Sequence, residues 1–317
     1  MNSLPTKDSI TTAHERIRKY IHKTPVMTSA SIDEMAGCHI FFKCENFQKV
    51  GAFKFRGACN AVFSMSQDVA INGVGTHSSG NHAQALALAA KMRGIPAYIV
   101  MPDNSPKVKI DAVRGYGGEI TFCSPTLAER ESTMDKVQTQ TNCNFIHPYT
   151  NPLVIAGQGT AAKEFIEETP ELDYIIAPVG GGGLLAGTLI ATSTLSPRTK
   201  VIAAEPEGAN DAYKSLHSGT IVQSVNPDTI GDGLLTSLGE INFEIIQKFI
   251  NDIITATDQQ AIEALRLIWE RMKIVIEPSS AFPLAVILAN KDLFAGKKIG
   301  VILSGGNADI KNISNLL

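Results

Sequence analysis

Charge of a single sign is missing from this 317-residue chain: 28 lysines and arginines stand against 31 aspartates and glutamates, for a formal net charge of −3. No basic run appears either, which argues against a general nucleic-acid or anionic-membrane binder. No apolar run is long enough to span a bilayer. The N-terminus, MNSLPTKDSI, has no basic segment followed by an apolar stretch, so no signal peptide is expected. The five cysteines, Cys38, Cys44, Cys59, Cys123 and Cys143, are odd in number and show no CxxC spacing. They read as reduced, mostly buried thiols of a cytoplasmic protein, with neither a zinc site nor a disulfide framework. Low-complexity segments, a repeat of fixed period and a Pro/Ser/Gly linker are all lacking.

What is present is a globular composition, 44% hydrophobic and 19% charged, enough for a sizeable core. Short apolar runs alternate with helical patterns. GVGTHSS and IPAYIVMP read as buried strands, with NHAQALALAAKMRG between them as a helix ending at Gly94. PKVKIDAVRGYGG follows as helix, EITFC as strand, LAERESTMDKVQTQT as helix and NFIHPY as strand. Further on, DYIIAPVG and KVIAAEP flank a helix that begins in a glycine run. Strands alternating with helices of this length predict an α/β protein with mostly parallel sheets covered on both faces. Ligands of such sheets sit at the carboxyl ends of the strands.

Three clusters lie at such ends. VGGGGLLAG, residues 179–187, offers free backbone N–H groups and the positive end of a helix, a natural phosphate site. It has a lookalike: Gly181, Gly183 and Ala186 satisfy G-x-G-x-x-A, with Glu205 about 20 residues on, as in a dinucleotide fingerprint. An NAD-dependent dehydrogenase therefore stays open on this motif. THSSGNHAQA, residues 76–85, is a polar turn that offers hydroxyls and N–H groups to a carboxylate; a plain helix cap is the bland alternative. VILSGGNADI, residues 301–310, runs an apolar strand into Ser304 and Asn307, where a strand-to-helix turn would serve equally. A fourth feature is Lys54, set between Phe53 and Phe55 among small residues, with Arg56 close by. Burial there predicts an amine held neutral, whereas Lys43, Lys49 and Lys107 read as surface lysines.

Taken together, GAFKFRGA, SSGNHAQA, AGQGT, GGGGLLAG, AAEP and LSGGN resemble, in order, the pyridoxal-phosphate enzymes of fold type II, the tryptophan-synthase-β-like group. The chain is most similar to the serine/threonine dehydratase branch that includes serine racemases and 3-hydroxyaspartate dehydratases, from about Thr24 to Asn307. The resemblance implies two open, twisted, mostly parallel sheets. It implies a large pyridoxal-phosphate-binding domain from residues 1–67 and 148–317, and a small mobile domain of residues 68–147. It implies that Lys54 is the Schiff-base lysine, that Phe53 lies against the pyridine ring, and that Gly180, Gly181, Gly182, Gly183 and Leu184 cradle the phosphate. Asn81 would meet the ring hydroxyl and Ser304 the pyridine nitrogen. Ser78, Ser79, Asn81 and His82 would grip the substrate carboxylate, with Arg130 close to that loop. Glu205, Ala209 (through its carbonyl) and Asp211 would hold a divalent cation, and their hard oxygens suit magnesium, calcium or manganese better than zinc.

The implied chemistry is abstraction of the Cα proton from an external aldimine, giving racemisation of serine together with its dehydration to pyruvate and ammonia. Racemisation needs a proton carrier on each face of Cα; Lys54 can serve one and the Ser79 hydroxyl the other. Threonine dehydratases of the branch carry S-A-G-N at this loop, racemases S-S-G-N. Close relatives with S-S-G-N act on 3-hydroxyaspartate, whose second carboxylate Arg130 or His147 could meet, so that substrate and threonine stay as alternatives. A β-replacement synthase would carry a different loop, and a non-catalytic cofactor carrier would not need Ser79. Animal members bind ATP between subunits; Lys49, Gln84, Tyr116 and Asn307 match those positions, while Val50 stands where those enzymes have threonine. A homodimer is implied, and feedback inhibition by isoleucine is not expected.

Overall fold

The strands form where the apolar runs lie: β1 (Val26–Met27), β2 (His39–Cys44), β3 (Val74–His77), β4 (Ala97–Pro102), β5 (Glu119–Cys123), β6 (Asn144–Phe145), β7 (Tyr174–Pro178), β8 (Lys200–Pro206), β9 (Asp252–Ala256) and β10 (Lys298–Leu303). The structure, a computed structural model, describes residues 4–78, 80–169 and 171–314. Six strands make one sheet in the order β1-β2-β10-β7-β8-β9, and four make a second in the order β5-β4-β3-β6. Every pairing is parallel except β1 with β2. This is the expected α/β architecture.

Successive side chains of a strand point to opposite faces, and the large sheet buries both. Ile176, Ile202, Val301 and Leu303 feed the core on one side, and Ile175, Val201, Ala203 and Ile302 the core on the other. That is why these strands read as continuous apolar runs. Replacing Ile302 by alanine would cost about 2–5 kcal/mol. Among the described residues no helix is long and apolar enough to cross a membrane.

The helix Pro152–Glu168 starts where the Asn151 side chain accepts hydrogen bonds from the N–H groups of Leu153 and Val154. It runs between the helix Lys54–Ser64 and the helix Gly183–Leu195. A Cβ on Gly157 would sit 2.6 Å from the Arg56 carbonyl oxygen, and one on Gly159 would sit 2.8 Å from that of Gly187. The AGQGT stretch is thus a contact of backbone on backbone, and it sets the spacing between Lys54 and the glycine run.

Two sequence expectations are corrected here. NFIHPY is strand only at Asn144–Phe145, because the chain then turns, with His147 Nδ1 accepting from the N–H groups of Tyr149 and Thr150. Lys43 is not a surface lysine: it is fully buried, 3.0 Å from Glu164 and hydrogen-bonded to the Thr24 carbonyl. Glu164 also pairs with Arg56, which in turn pairs with Glu45. A network of buried charges therefore lies directly beneath the Lys54 helix.

Candidate active site

Four strand ends lead to residues singled out in the sequence, as the sheet rule anticipates: β3 runs into Ser78, β7 into the glycine run, β8 ends on Glu205–Pro206 and β10 leads into Ser304. Lys54 is the first residue of its helix. Its Nζ donates to the Pro148 carbonyl at 3.1 Å and lies 5.1 Å from the centre of the Phe53 ring. Burial pulls the amine down to about 8, partly offset by the charge of Glu277. An amine so placed reaches its neutral form near physiological pH.

The loop that carries Lys54 is tied to the end of β10. Phe53 N–H donates to the Ser304 carbonyl, Gly306 N–H donates to the Gly51 carbonyl, and Ala52 bridges Gly305. Ser304 is buried, and its hydroxyl lies 2.9 Å from that of Ser280. Asn81, the first residue of the helix Asn81–Arg93, has its amide nitrogen at 3.0 and 3.1 Å from the two carboxylate oxygens of Glu277. Its Oδ1 accepts from Asn307, which also donates to the Val50 carbonyl. Asn307 thus ties two loops together; it does not cap a helix. Val50 has φ of +57°, a costly conformation for a β-branched residue.

The glycine run opens the helix Gly183–Leu195. Its cap residue Gly182, at φ +88°, provides no side-chain hydrogen bond to the first N–H groups. Those groups are the donors that an anion would take. The glycines have a second cause besides: a Cβ on Gly181 would lie 2.6 Å from the Tyr149 ring, and one on Gly180 would lie 2.9 Å from Leu234 Cα. Leu184 is buried in the first turn.

The SSGNH turn is described in part. Ser78 Oγ accepts from Gly80 N–H. Ser79 lies outside the described residues. His82 is buried with Nε2 3.1 Å from the Ile146 carbonyl oxygen, and burial pushes it down to about 3, so its ring is neutral. His147 is held neutral as well, pushed down to about 4 by burial and by His77. Arg130 comes from the helix Leu127–Thr141. Its Nε is buried and has no hydrogen-bond partner among the described residues, as is true of His77 Nδ1.

Ala209 and Asp211 line a small cavity of about 130 Å³ together with Lys214 and Ser224, and Glu205 is not among its lining residues. Both Glu205 oxygens accept backbone N–H groups, from Ala212 and Tyr213. Asp211 Oδ2 is buried without a partner among the described residues. Burial pushes Glu205 up to about 8 and Asp211 up to about 6.

Glu277 and Ser280 escaped the sequence reading. A lone glutamate in the apolar run IVIEPSS was the only available signal. Burial, with Asp232 beside it, pushes Glu277 up to about 7.

The arrangement has a neutralisable lysine, an open helix N-terminus behind glycines, and buried hydroxyls on the loop between them. The sequence profile described as pyridoxal-phosphate dependent enzyme matches residues 17–305. The chain belongs to the pyridoxal-phosphate dependent enzyme family. Within it, the chain is 51% identical over 310 residues to the β-hydroxyaspartate dehydratase of Paracoccus denitrificans, covering 98% of each protein. It is also 51% identical over 321 residues to the serine racemase of Dictyostelium discoideum, covering 100% of this chain and 99% of that one. The crystal structure of that Dictyostelium racemase superposes with a TM-score of 0.93 over 97% of this chain and 100% of its own. This pyridoxal-phosphate enzyme thus has the fold type II architecture anticipated from its motifs, and the rival dehydrogenase reading falls.

Proposed function

We propose that this enzyme racemises serine and also dehydrates it to pyruvate and ammonia. The observation that carries the reading is the buried Lys54 amine, lowered to about 8, in a chain with full-length likeness to a serine racemase. The residues present fit the cofactor. Gly180–Gly183 and the N–H groups of Leu184 and its neighbours would hold its phosphate, Phe53 and Asn81 would flank its ring, and Ser304 would face the ring nitrogen. Bound there, the cofactor supplies an electron-poor ring that acidifies the Cα–H of an amino acid joined to it. Lys54 Nζ takes or returns the Cα proton on one face, and the Ser79 hydroxyl serves the other. Ser78, Asn81 and Arg130 bind the substrate carboxylate, while His82, neutral with Nε2 committed to the Ile146 carbonyl, serves that loop through its backbone N–H.

A divalent cation at Glu205, the Ala209 carbonyl and Asp211 is part of the proposal. Asp211 Oδ2, buried with no hydrogen-bond partner among the described residues, supports it, since a bare carboxylate oxygen suits a hard cation. Two lobes, residues 68–147 against residues 1–67 with 148–317, would close over the substrate; the ion pair of Lys109 with Asp232, at 2.7 Å, links segments of the two. We further propose a homodimer acting in the cytoplasm, consistent with five buried, unpaired cysteines. ATP is a candidate effector at Lys49, Gln84, Tyr116 and Asn307.

One observation favours a second reading, an ammonia-lyase for threo-3-hydroxyaspartate. Arg130 Nε and His77 Nδ1 have no hydrogen-bond partner among the described residues, and in this reading the Arg130 guanidinium meets the second carboxylate. Chiral product analysis with L-serine, D-serine, L-threonine and threo-3-hydroxyaspartate tests the choice. D-serine formed from L-serine, with pyruvate alongside, supports the first reading. Ammonia from hydroxyaspartate without any racemisation of serine would replace it with the second.

A further inference from the structure

We propose that Asn242 is a positioning residue for the cofactor's phosphate, acting through the glycine loop. Asn242 lies in the helix Glu240–Phe249 and is fully buried. Its amide nitrogen donates to the Gly181 carbonyl at 2.6 Å and to the Tyr149 carbonyl at 3.0 Å. Its Oδ1 has no partner among the described residues. A buried amide that uses its donors and leaves its acceptor bare is kept for the donors.

The consequence is geometric. In a trans peptide the C=O and the following N–H point in opposite directions. Drawing the Gly181 carbonyl onto Asn242 therefore turns the Gly182 N–H to the opposite face of the loop. The Gly239 N–H donates to the same carbonyl at 3.3 Å, and the loop packs closely on both sides, since a Cβ on Gly182 would lie 2.9 Å from Asn242 Cβ and one on Gly181 would lie 2.6 Å from the Tyr149 ring. The same amide holds Tyr149, the residue after the Pro148 carbonyl that accepts from Lys54. One side chain thus joins the loop to the segment that holds the reactive amine. The inference rests on the glycine run being the phosphate cradle.

The test uses cofactor-free full-length protein and two ligands, pyridoxal phosphate and pyridoxal, which differ only by the phosphoryl group. Wild type, Asn242→Leu and Asn242→Thr are titrated with each. Asn242→Leu keeps the branched shape, with bulkier methyl groups, and removes both donors, so its preference for pyridoxal phosphate over pyridoxal should fall ~10-fold or more, as expected for hydrogen bonding that serves a charged group. Asn242→Thr keeps one donor and should fall in between. An unchanged preference, or equal weakening of both ligands, would overturn the role of Asn242. Should the leucine variant lose its near-ultraviolet circular dichroism, the threonine variant decides alone: a preference equal to that of wild type overturns the proposal. A wild type that does not itself prefer the phosphorylated ligand would instead refute the cradle.

Discussion

Asn81 places its amide nitrogen within 3.1 Å of both carboxylate oxygens of Glu277, a residue 196 positions further along the chain. This contact brings a carboxylate into the electrostatic field of Lys54, whose amine it raises against the larger, opposing effect of burial. Removing the charge should therefore lower the amine further. In cofactor-free protein, the pH dependence of Lys54 acylation, followed by mass spectrometry, should have its midpoint near 8, and Glu277→Gln should shift it below that. Identical midpoints would mean that the two groups do not sense one another.

Glu277 also predicts a slope of stability with pH. Its carboxyl rises from 4.5 to about 7 on folding, so between those values the folded state keeps a proton that the unfolded state has released. Stability contributed by this group is complete below pH 4.5 and is lost as the pH climbs through 7. Cofactor-free wild type should therefore lose stability relative to Glu277→Gln over that interval. Parallel profiles of urea midpoint against pH would contradict this.

The buried charges under the Lys54 helix make a separate prediction. Arg56 is fully buried between Glu45 and Glu164. Arg56→Met leaves Glu45 without its cation and Glu164 with Lys43 alone, and should destabilise the protein by about 3–5 kcal/mol in chemical denaturation. A loss under ~1 kcal/mol would show that the network reorganises freely.

At the acidic turn, Glu205 is raised to about 8 and Asp211 to about 6. The proposed cation would bind the deprotonated pair, so magnesium or calcium should raise the melting temperature more at pH 8 than at pH 6. Glu205→Gln should abolish the gain. A gain of equal size in the variant would place the ion elsewhere.

Ser79→Ala should abolish D-serine formation while pyruvate production from L-serine persists within about tenfold, since one of two proton carriers is lost. Chiral chromatography beside a pyruvate assay separates the two outcomes; parallel loss of both products would refute the division of labour.

β7, β8 and β10 were legible because strands buried on both faces cannot hide their apolar runs, whereas β2 and β9 were not read as strands; the candidate site lies where the legible strands end. Lys43 was misread because its partners Glu164 and Glu168 lie more than a hundred residues away, and no local pattern reports a long-range ion pair. Glu277 and Asn242 were missed for a similar reason: Glu277 is one polar residue after an apolar run and Asn242 stands between Glu240 and Glu244 on an ordinary amphipathic helix, so each is informative only once its partners are in place. The glycine run was read for its N–H groups. Its second cause, the closeness of Tyr149 and Leu234, appears only in three dimensions.

The account turns on the bond between position 54 and the cofactor. Borohydride reduction of the purified enzyme, followed by peptide mass mapping, tests it most directly. The account predicts the mass of the reduced pyridoxyl phosphate on Lys54 and no label in Lys54→Ala. A label on another lysine, or an unmodified Lys54 in protein saturated with the cofactor, would contradict it.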